Sequence, residues 1–110
     1  MVNYAPDRGD IVWLDFSPQS GHEQRGVRPA LVISPKAYNL KIGLALFCPI
    51  TSKAKGYPFE VPIKTRKING VVLADQLRNL DWQVRRAKFI AKAEADIIAE
   101  TLGKLQPLIS

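Results

Sequence analysis

The stretch "ALVISPKAYNLKIGLALFCPIT", residues 30–51, contains two short apolar runs separated by nine residues. Continuous apolar runs such as "ALVIS" (30–34) and "LALFCPIT" (44–51) are typical of buried strands. The segment between them has room for one helical turn, but not for the crossover of about a dozen residues that parallel strands need. This spacing argues against a βαβ fold and favours a sheet of closely spaced strands.

Four further segments have the β-branched, aromatic or alternating patterns of strands. They are "DIVWLDF" (10–16), "FEVPI" (59–63), "GVVLADQ" (70–76) and "RAKFIAK" (86–92). Pro62 cannot donate a ladder hydrogen bond, so the second of these segments is expected at a sheet edge or a strand end. The third segment begins at the pair Asn69-Gly70, which is a hairpin turn signal.

The C-terminal segment has a helical pattern. Its apolar residues recur on one helical face, at Ile97, Ile98, Leu102, Leu105 and Leu108 or Ile109. Pro107 lacks a backbone donor, so the helix is expected to end or kink near Gln106. The sequence therefore predicts a mainly β fold, a small curled sheet or barrel of five or six strands with short helical turns and a packed C-terminal helix. All 110 residues, 1–110, are expected to form a single domain.

Composition limits the location of the chain. The longest apolar run has nine residues, about half of what a membrane-spanning helix needs. The N-terminal stretch has no charged leader followed by an apolar region, so a signal peptide is not expected. Cys48 is the single cysteine, which excludes an internal disulfide and fits a reducing compartment. We therefore expect a cytoplasmic protein without a membrane segment.

The net charge of +6 is unevenly distributed. Residues 53–92 hold ten Lys or Arg against three Asp or Glu, which gives +7, and the rest of the chain is close to neutral. Such a segment suits a polyanion, because Lys and Arg bind phosphates without reading sequence. A solvated basic face that keeps the protein soluble explains the charge equally well.

Catalytic chemistry is restricted by what the chain lacks. One histidine and one cysteine give no zinc-ligand spacing and no Cys-His nucleophile pair. The sequence "GHEQRG" (21–26) also lacks the spacing of a phosphate-binding loop. We expect neither a metal nor a cofactor.

A metal-free reaction remains possible for the residues of "GHEQRGVRP" (21–29). In RNA cleavage by the substrate's own 2′-hydroxyl, Glu23 could take the proton and the Arg28 guanidinium could stabilise the phosphorane charge. His22 is chemically able to protonate the leaving oxygen. The plainer alternative is an ion pair at a hairpin tip, and Thr51 and Ser52 could simply cap a strand end.

Three segments together resemble the MazF/PemK family of toxin endoribonucleases. They are "RGDIVWLDFSPQSGHEQRGVRPALVISPKAYN" (8–39), "CPITSKAKGYPFEVPI" (48–63) and "GVVLADQLRNLDW" (70–82). The resemblance runs from about Tyr4 to Ile109. It implies an SH3-like barrel of the PemK/CcdB toxin type, a homodimer, and metal-independent cleavage of single-stranded RNA or mRNA at a short sequence, which arrests translation and growth.

The resemblance also implies roles for particular residues and a protein partner. The family's catalytic glutamate, arginine and strand-end threonine fall on Glu23, Arg28 and Thr51. Substrate contacts in the family fall on Gln24, Ser52 and Gln76. The motif does not require a histidine at position 22. The implied partner is an antitoxin of the MazE or PemI type, whose acidic C-terminal tail masks the toxin.

The same fold is also used by toxins that poison DNA gyrase, which bind without catalysis. A gyrase poison would not need Glu23, Arg28 and Thr51 together, and this constellation discriminates between the two functions. A plain nucleic-acid-binding barrel would explain the charge but not the constellation.

Overall fold

Seven strands and two helices lie within residues 4–17 and 26–110, the part of the chain that the computed structural model describes. The strands are β1 (Asp10–Asp15), β2 (Val27–Val32), β3 (Leu44–Thr51), β4 (Glu60–Lys64), β5 (Asn69–Leu73), β6 (Arg78–Asp81) and β7 (Lys88–Lys92). The helices are α1 (Lys36–Ile42) and α2 (Ala95–Ile109). Neither helix is long and apolar enough to cross a membrane.

The strands form one antiparallel sheet in the order β4-β5-β3-β2-β1-β7, with β6 paired to β3 outside this path. The eight-residue β3 is central, since its first half pairs with β6 and its last two residues, Ile50 and Thr51, pair with β5. A strand shared in this way joins two parts of a curled sheet. The predicted mainly β fold with a packed C-terminal helix is confirmed.

Both faces of the central strands are buried, because the sheet curls and α2 covers one side. Ile11, Leu31 and Cys48 belong to one apolar cluster, which also receives Leu105 from α2. The residues that alternate with them, among them Val12, belong to a second cluster closed by Trp82. Two-sided burial explains why these strands appear in the sequence as continuous apolar runs.

The hairpin between β4 and β5 differs from its prediction. Asn69 and Gly70 lie inside β5, where they pair with Lys64 and Ile63. The turn is formed instead by residues 65–68, in which the Thr65 Oγ1 accepts hydrogen bonds from the backbone N–H groups of residues 67 and 68. The prediction that β4 lies at a sheet edge is confirmed, in agreement with the missing donor of Pro62.

Three other elements differ from what the sequence patterns predict: one strand was not predicted, and both helices are longer than expected. Strand β6 was not predicted, because "RNLD" is mostly polar and becomes a strand by pairing with β3. Helix α1 has seven residues and ends at Gly43, whose φ of 80° few other residues adopt. Helix α2 continues past Pro107 to Ile109, so of the expected end or kink near Gln106 the end is wrong, since a proline in the last turn leaves few later hydrogen bonds to lose.

Candidate functional site

A groove of about 510 Å³ lies where β3 ends. We call it the Thr51 groove, and it is lined by Arg28, Thr51, Ser52, Lys53, Lys55, Tyr57, Glu60, Leu73 and Gln76. Residues from β2, β3, β4, β5 and the two connections after β3 and β5 therefore meet at one place. Four of the residues singled out from the sequence, Arg28, Thr51, Ser52 and Gln76, are among them.

The antiparallel pairing of β2 with β3 brings Arg28 close to Thr51. Ala30 lies opposite Pro49 in this pairing. The paired residues end there, two positions from Arg28 on β2 and from Thr51 on β3, and both of these side chains line the groove. The Arg28 side chain is exposed. A guanidinium and a hydroxyl are thus held on neighbouring rigid strands, although 22 residues of chain separate them.

The Thr51 hydroxyl accepts one hydrogen bond within the protein and still has its own O–H group to donate. Its Oγ1 accepts a hydrogen bond of 3.2 Å from the backbone N–H of Lys53, a turn that ends β3. Thr51 therefore caps the end of β3, as one interpretation of the sequence expected. A hydroxyl that accepts one hydrogen bond still has its own O–H to donate, for example to a phosphate oxygen.

Gly70 allows β5 to approach the end of β3 closely. A Cβ atom at this position would lie 2.2 Å from the carbonyl oxygen of Thr51 and 3.2 Å from the Cα of Ser52. No side chain fits in that space. The position of Thr51 in the groove thus depends on a glycine that the sequence pattern assigned to a turn.

The connection between β3 and β4, which we call the 52–59 loop, is fastened by side chains. The Glu60 carboxylate accepts backbone N–H bonds from Lys55 at 2.9 Å, from Gly56 at 3.1 Å and from Tyr57 at 3.4 Å. The Tyr57 hydroxyl donates to the Asp75 carboxylate after β5. This hydrogen bond raises the pKa of Tyr57, so the phenol keeps its proton.

Several lining residues were missed by the motif analysis. Lys53 and Lys55 belong to the basic segment of the sequence, so their charge was a usable signal. Tyr57 lies in the 52–59 loop and its partner Asp75 is distant in sequence, so no local pattern indicates it. Glu60 begins β4, and the alternating pattern of that strand does not show that its carboxylate binds the loop before it. The basic segment as a whole does not line the groove, and Lys92 instead forms an ion pair with Asp10 at 2.9 Å.

Cys48 is not a second nucleophile beside the groove. It is fully buried in β3, as the sequence predicted. Burial, followed by the negative charge of Asp75, raises the pKa of its thiol to about 12. A thiol with such a pKa stays protonated and unreactive near neutral pH.

Some sequence-based assignments fall outside the described part of the chain. His22, Glu23 and Gln24 belong to the segment 18–25 that joins β1 and β2, so their roles stay predictions. Among residues 4–17 and 26–110, no group of three or more His, Cys, Asp or Glu side chains is arranged to hold a metal ion.

Comparisons with known proteins agree on one family. Residues 7–109 match the model of the PemK-like, MazF-like toxins of type II toxin-antitoxin systems. The chain is 50% identical over 84 residues to the endoribonuclease toxin MazF of Escherichia coli strain K12, with 76% of each protein covered.

Solved structures give the same result. The crystal structure of MazF (Form-I) from Deinococcus radiodurans is 57% identical, with a TM-score of 0.91 and 97% of this chain and 98% of that one covered. The MazE-MazF structure (Form-II) from the same organism has a TM-score of 0.88 at 57% identity and covers 97% of both chains. The chain therefore belongs to the family of PemK-like, MazF-like toxins of type II toxin-antitoxin systems.

Proposed function

We propose that this protein is the toxin of a type II toxin-antitoxin system and acts as a sequence-specific, metal-independent endoribonuclease on single-stranded RNA, including mRNA. Cleavage of mRNA stops translation and growth. The observation that carries the proposal is the Thr51 groove, which is lined by both Arg28 of β2 and Thr51 of β3. The endoribonuclease names of its relatives favour catalysis over gyrase poisoning.

The reaction needs no external nucleophile. Glu23 removes the proton from the ribose 2′-hydroxyl, and the 2′-oxygen attacks the adjacent phosphorus. Arg28 stabilises the charge on the phosphorane oxygens through its bidentate fork, and the Thr51 hydroxyl contacts the scissile phosphate. The 5′-oxygen leaves with a proton from water or from another group. The products are a 2′,3′-cyclic phosphate and a 5′-hydroxyl.

Other polar residues bind the RNA on either side of the scissile phosphate. We assign substrate contacts to Ser52 and Gln76, which line the groove, and to Gln24 in the segment that joins β1 and β2. Lys53 and Lys55 add phosphate attraction along the rim.

The proposed assembly is a homodimer of single-domain chains, residues 1–110, in the cytoplasm, where mRNA is available. Two copies would extend the cationic groove across the pair. A MazE-like antitoxin with an acidic tail would compete with RNA for this surface, and a MazE-MazF complex is known for the Deinococcus relative. The buried, reduced Cys48 is compatible with a cytoplasmic location.

The test uses an in vitro transcript and an oligonucleotide copied from a mapped cut. The purified protein should cut both in the presence of EDTA and leave a 2′,3′-cyclic phosphate. A single deoxyribose at the cut should abolish cleavage, because the nucleophile is missing. Loss of activity in EDTA or unchanged cutting of the deoxy substrate would contradict the mechanism. If neither RNA is cut and a supercoiling assay detects gyrase inhibition, the protein is a gyrase poison.

A further inference from the structure

The Thr51 groove contains a carboxylate, which is unexpected for a surface that binds a polyanion. Glu60 lines the groove together with Arg28, Lys53 and Lys55. A negative charge at this place repels RNA phosphates and lowers affinity by simple electrostatics. Glu60 therefore must be explained by another interaction.

The hydrogen bonds of Glu60 provide that explanation. Both carboxylate oxygens are directed at consecutive backbone N–H groups of residues 55–57, and the Glu60 N–H in turn donates to the Tyr57 carbonyl at 3.1 Å. Hydrogen bonds from backbone donors to an ionised carboxylate are stronger than neutral ones. They also fix Gly56 in its left-handed conformation, with φ of 76°.

The same loop is tied to the rest of the fold at two other points. Tyr57 donates to Asp75 after β5, and the ammonium group of Lys104 in α2 donates to the Pro58 carbonyl at 2.8 Å. The loop has no regular secondary structure, and residues 52–58 are exposed. Its shape is consequently set by these side chains, with Glu60 making the largest number of bonds.

We propose that Glu60 is a positioning residue for RNA binding, which organises the 52–59 loop so that Lys53 and Lys55 face the substrate phosphates along the Thr51 groove. The inference rests on the proposed function. Ordering the loop before RNA binds removes an entropy cost from the binding step. This gain exceeds the repulsion of one carboxylate whose charge is already engaged by three donors.

The two roles of Glu60 have opposite signs, which makes the proposal testable. In Glu60→Gln the negative charge disappears, and the amide group cannot accept from all three N–H donors. If Glu60 acted only through its charge, this variant would bind RNA more tightly. If Glu60 positions the loop, it binds RNA more weakly, although the protein has become more basic.

The experiment measures binding of a fully 2′-O-methylated copy of an RNA that the wild-type protein cuts. For Glu60→Gln we expect a Kd about tenfold higher and a salt slope of log Kd lower by about 1, as for one lost phosphate contact. Glu100→Gln, an exposed site on α2 outside the groove, removes the same charge and should bind at least as tightly as wild type. On the cleavable RNA, KM should rise while kcat changes less than about twofold.

A second variant separates loop shape from charge. Gly56→Ala strains the loop because of the positive φ, while the added Cβ meets no atom within 4 Å and no charge changes. It should reproduce the higher Kd and the lower salt slope of Glu60→Gln. Tight binding by both variants, with thermal unfolding showing that they are folded, would overturn the proposal. Absence of cleavage by the wild type would instead contradict the proposed function.

Discussion

Two polar clusters of this molecule use the same kinds of side chain in opposite ways. One is the Thr51 groove, and the other is the buried polar cluster formed by Ser34, Asn39 of α1 and Trp82. The Asn39 side chain is completely buried, whereas most of the groove residues are exposed. The difference lies in where the hydrogen-bonding capacity of each cluster is used.

The buried polar cluster satisfies itself. The Asn39 amide donates to the carbonyls of Pro6 at 2.8 Å and Ser34 at 3.0 Å, and its oxygen accepts from the Ser34 hydroxyl. The indole N–H of Trp82 donates to the Asn39 carbonyl at 3.0 Å. These bonds connect the N-terminal segment, the connection between β2 and α1, α1 itself and the region after β6. A buried group with all its partners inside the protein serves the fold.

In the Thr51 groove, most internal hydrogen bonds hold the 52–59 loop in place. Glu60 binds backbone N–H groups, and Thr51 accepts one bond, while the ammonium groups of Lys53 and Lys55 form no ion pair within the described residues. Donors are thus left for a ligand. A structural cluster is thus distinguished from a binding cluster by whether its polar groups already have hydrogen-bond partners within the protein, more than by how many polar groups it contains.

The largest effect is expected for the substitution Arg28→Lys, which should reduce the rate of RNA cleavage. Lysine keeps the positive charge but cannot contact two phosphate oxygens with a planar fork. We expect kcat to fall by about 10²-fold or more, on the scale of losing one oxyanion donor. Single-turnover cleavage of a mapped oligonucleotide measures this step without product release.

The matched control is Arg66→Lys in the exposed turn between β4 and β5, outside the groove. It should keep cleavage within about twofold of wild type. Equal cleavage rates for the two variants would mean that Arg28 does not stabilise the transition state. The alternative of an ion pair at a hairpin would then be favoured.

In the buried polar cluster, Asn39→Leu should mainly reduce stability. The substitution keeps the approximate volume but leaves the Pro6 carbonyl and the Ser34 groups with fewer partners in the core. Three hydrogen bonds are lost, each at a cost of about 1 kcal/mol or more, so we expect a loss of at least about 3 kcal/mol in the free energy of unfolding. Urea denaturation followed by tryptophan fluorescence measures it.

Asn79→Leu provides the contrast, because Asn79 is exposed on β6 and its side chain donates one bond, to the Tyr38 hydroxyl at 3.1 Å. Its cost should stay below about 1 kcal/mol. Similar losses for the two variants would mean that the network around Asn39 does not stabilise the fold as its geometry indicates.

The two clusters were not equally predictable from the sequence. The apolar runs and the helical periodicity determine the strands and α2, because burial enforces both patterns locally. Arg28, Thr51, Ser52 and Gln76 could be nominated through the resemblance, and the pairing of β3 with β2 on one side and β5 on the other brings them together. Glu60 carried no signal, because a strand pattern does not show that its carboxylate binds the loop before β4. Asn39 carried none because its partners include Pro6 and Trp82, which are distant in sequence.

The turn signal at Asn69 and Gly70 failed for a related reason. Residues that suit a tight turn also suit a crowded strand, and Gly70 is present because the Thr51 carbonyl leaves no room for a side chain. Local propensity could not distinguish the two explanations, whereas the contact between β3 and β5 decides between them.

The smallest effect on cleavage is expected for Gly70→Ala, at the contact between β5 and the end of β3. The added Cβ would lie 2.2 Å from the Thr51 carbonyl oxygen, so β3 and β5 must separate slightly. Forced separations of this kind cost about 1 to 3 kcal/mol of stability. They also change the position of Thr51 relative to Arg28, so cleavage should decrease by about tenfold, although no groove side chain has changed.

Gly103→Ala, in the exposed part of α2, is the control with the opposite sign. A Cβ there meets no atom within 4 Å, and alanine favours a helix over glycine by about 0.8 to 1 kcal/mol, so the variant should be more stable and equally active. Thermal unfolding and the oligonucleotide assay, run side by side, test the pair. A fully active and equally stable Gly70→Ala protein would show that the end of β3 tolerates displacement, and the fixed position of Thr51 could then not be essential for cleavage.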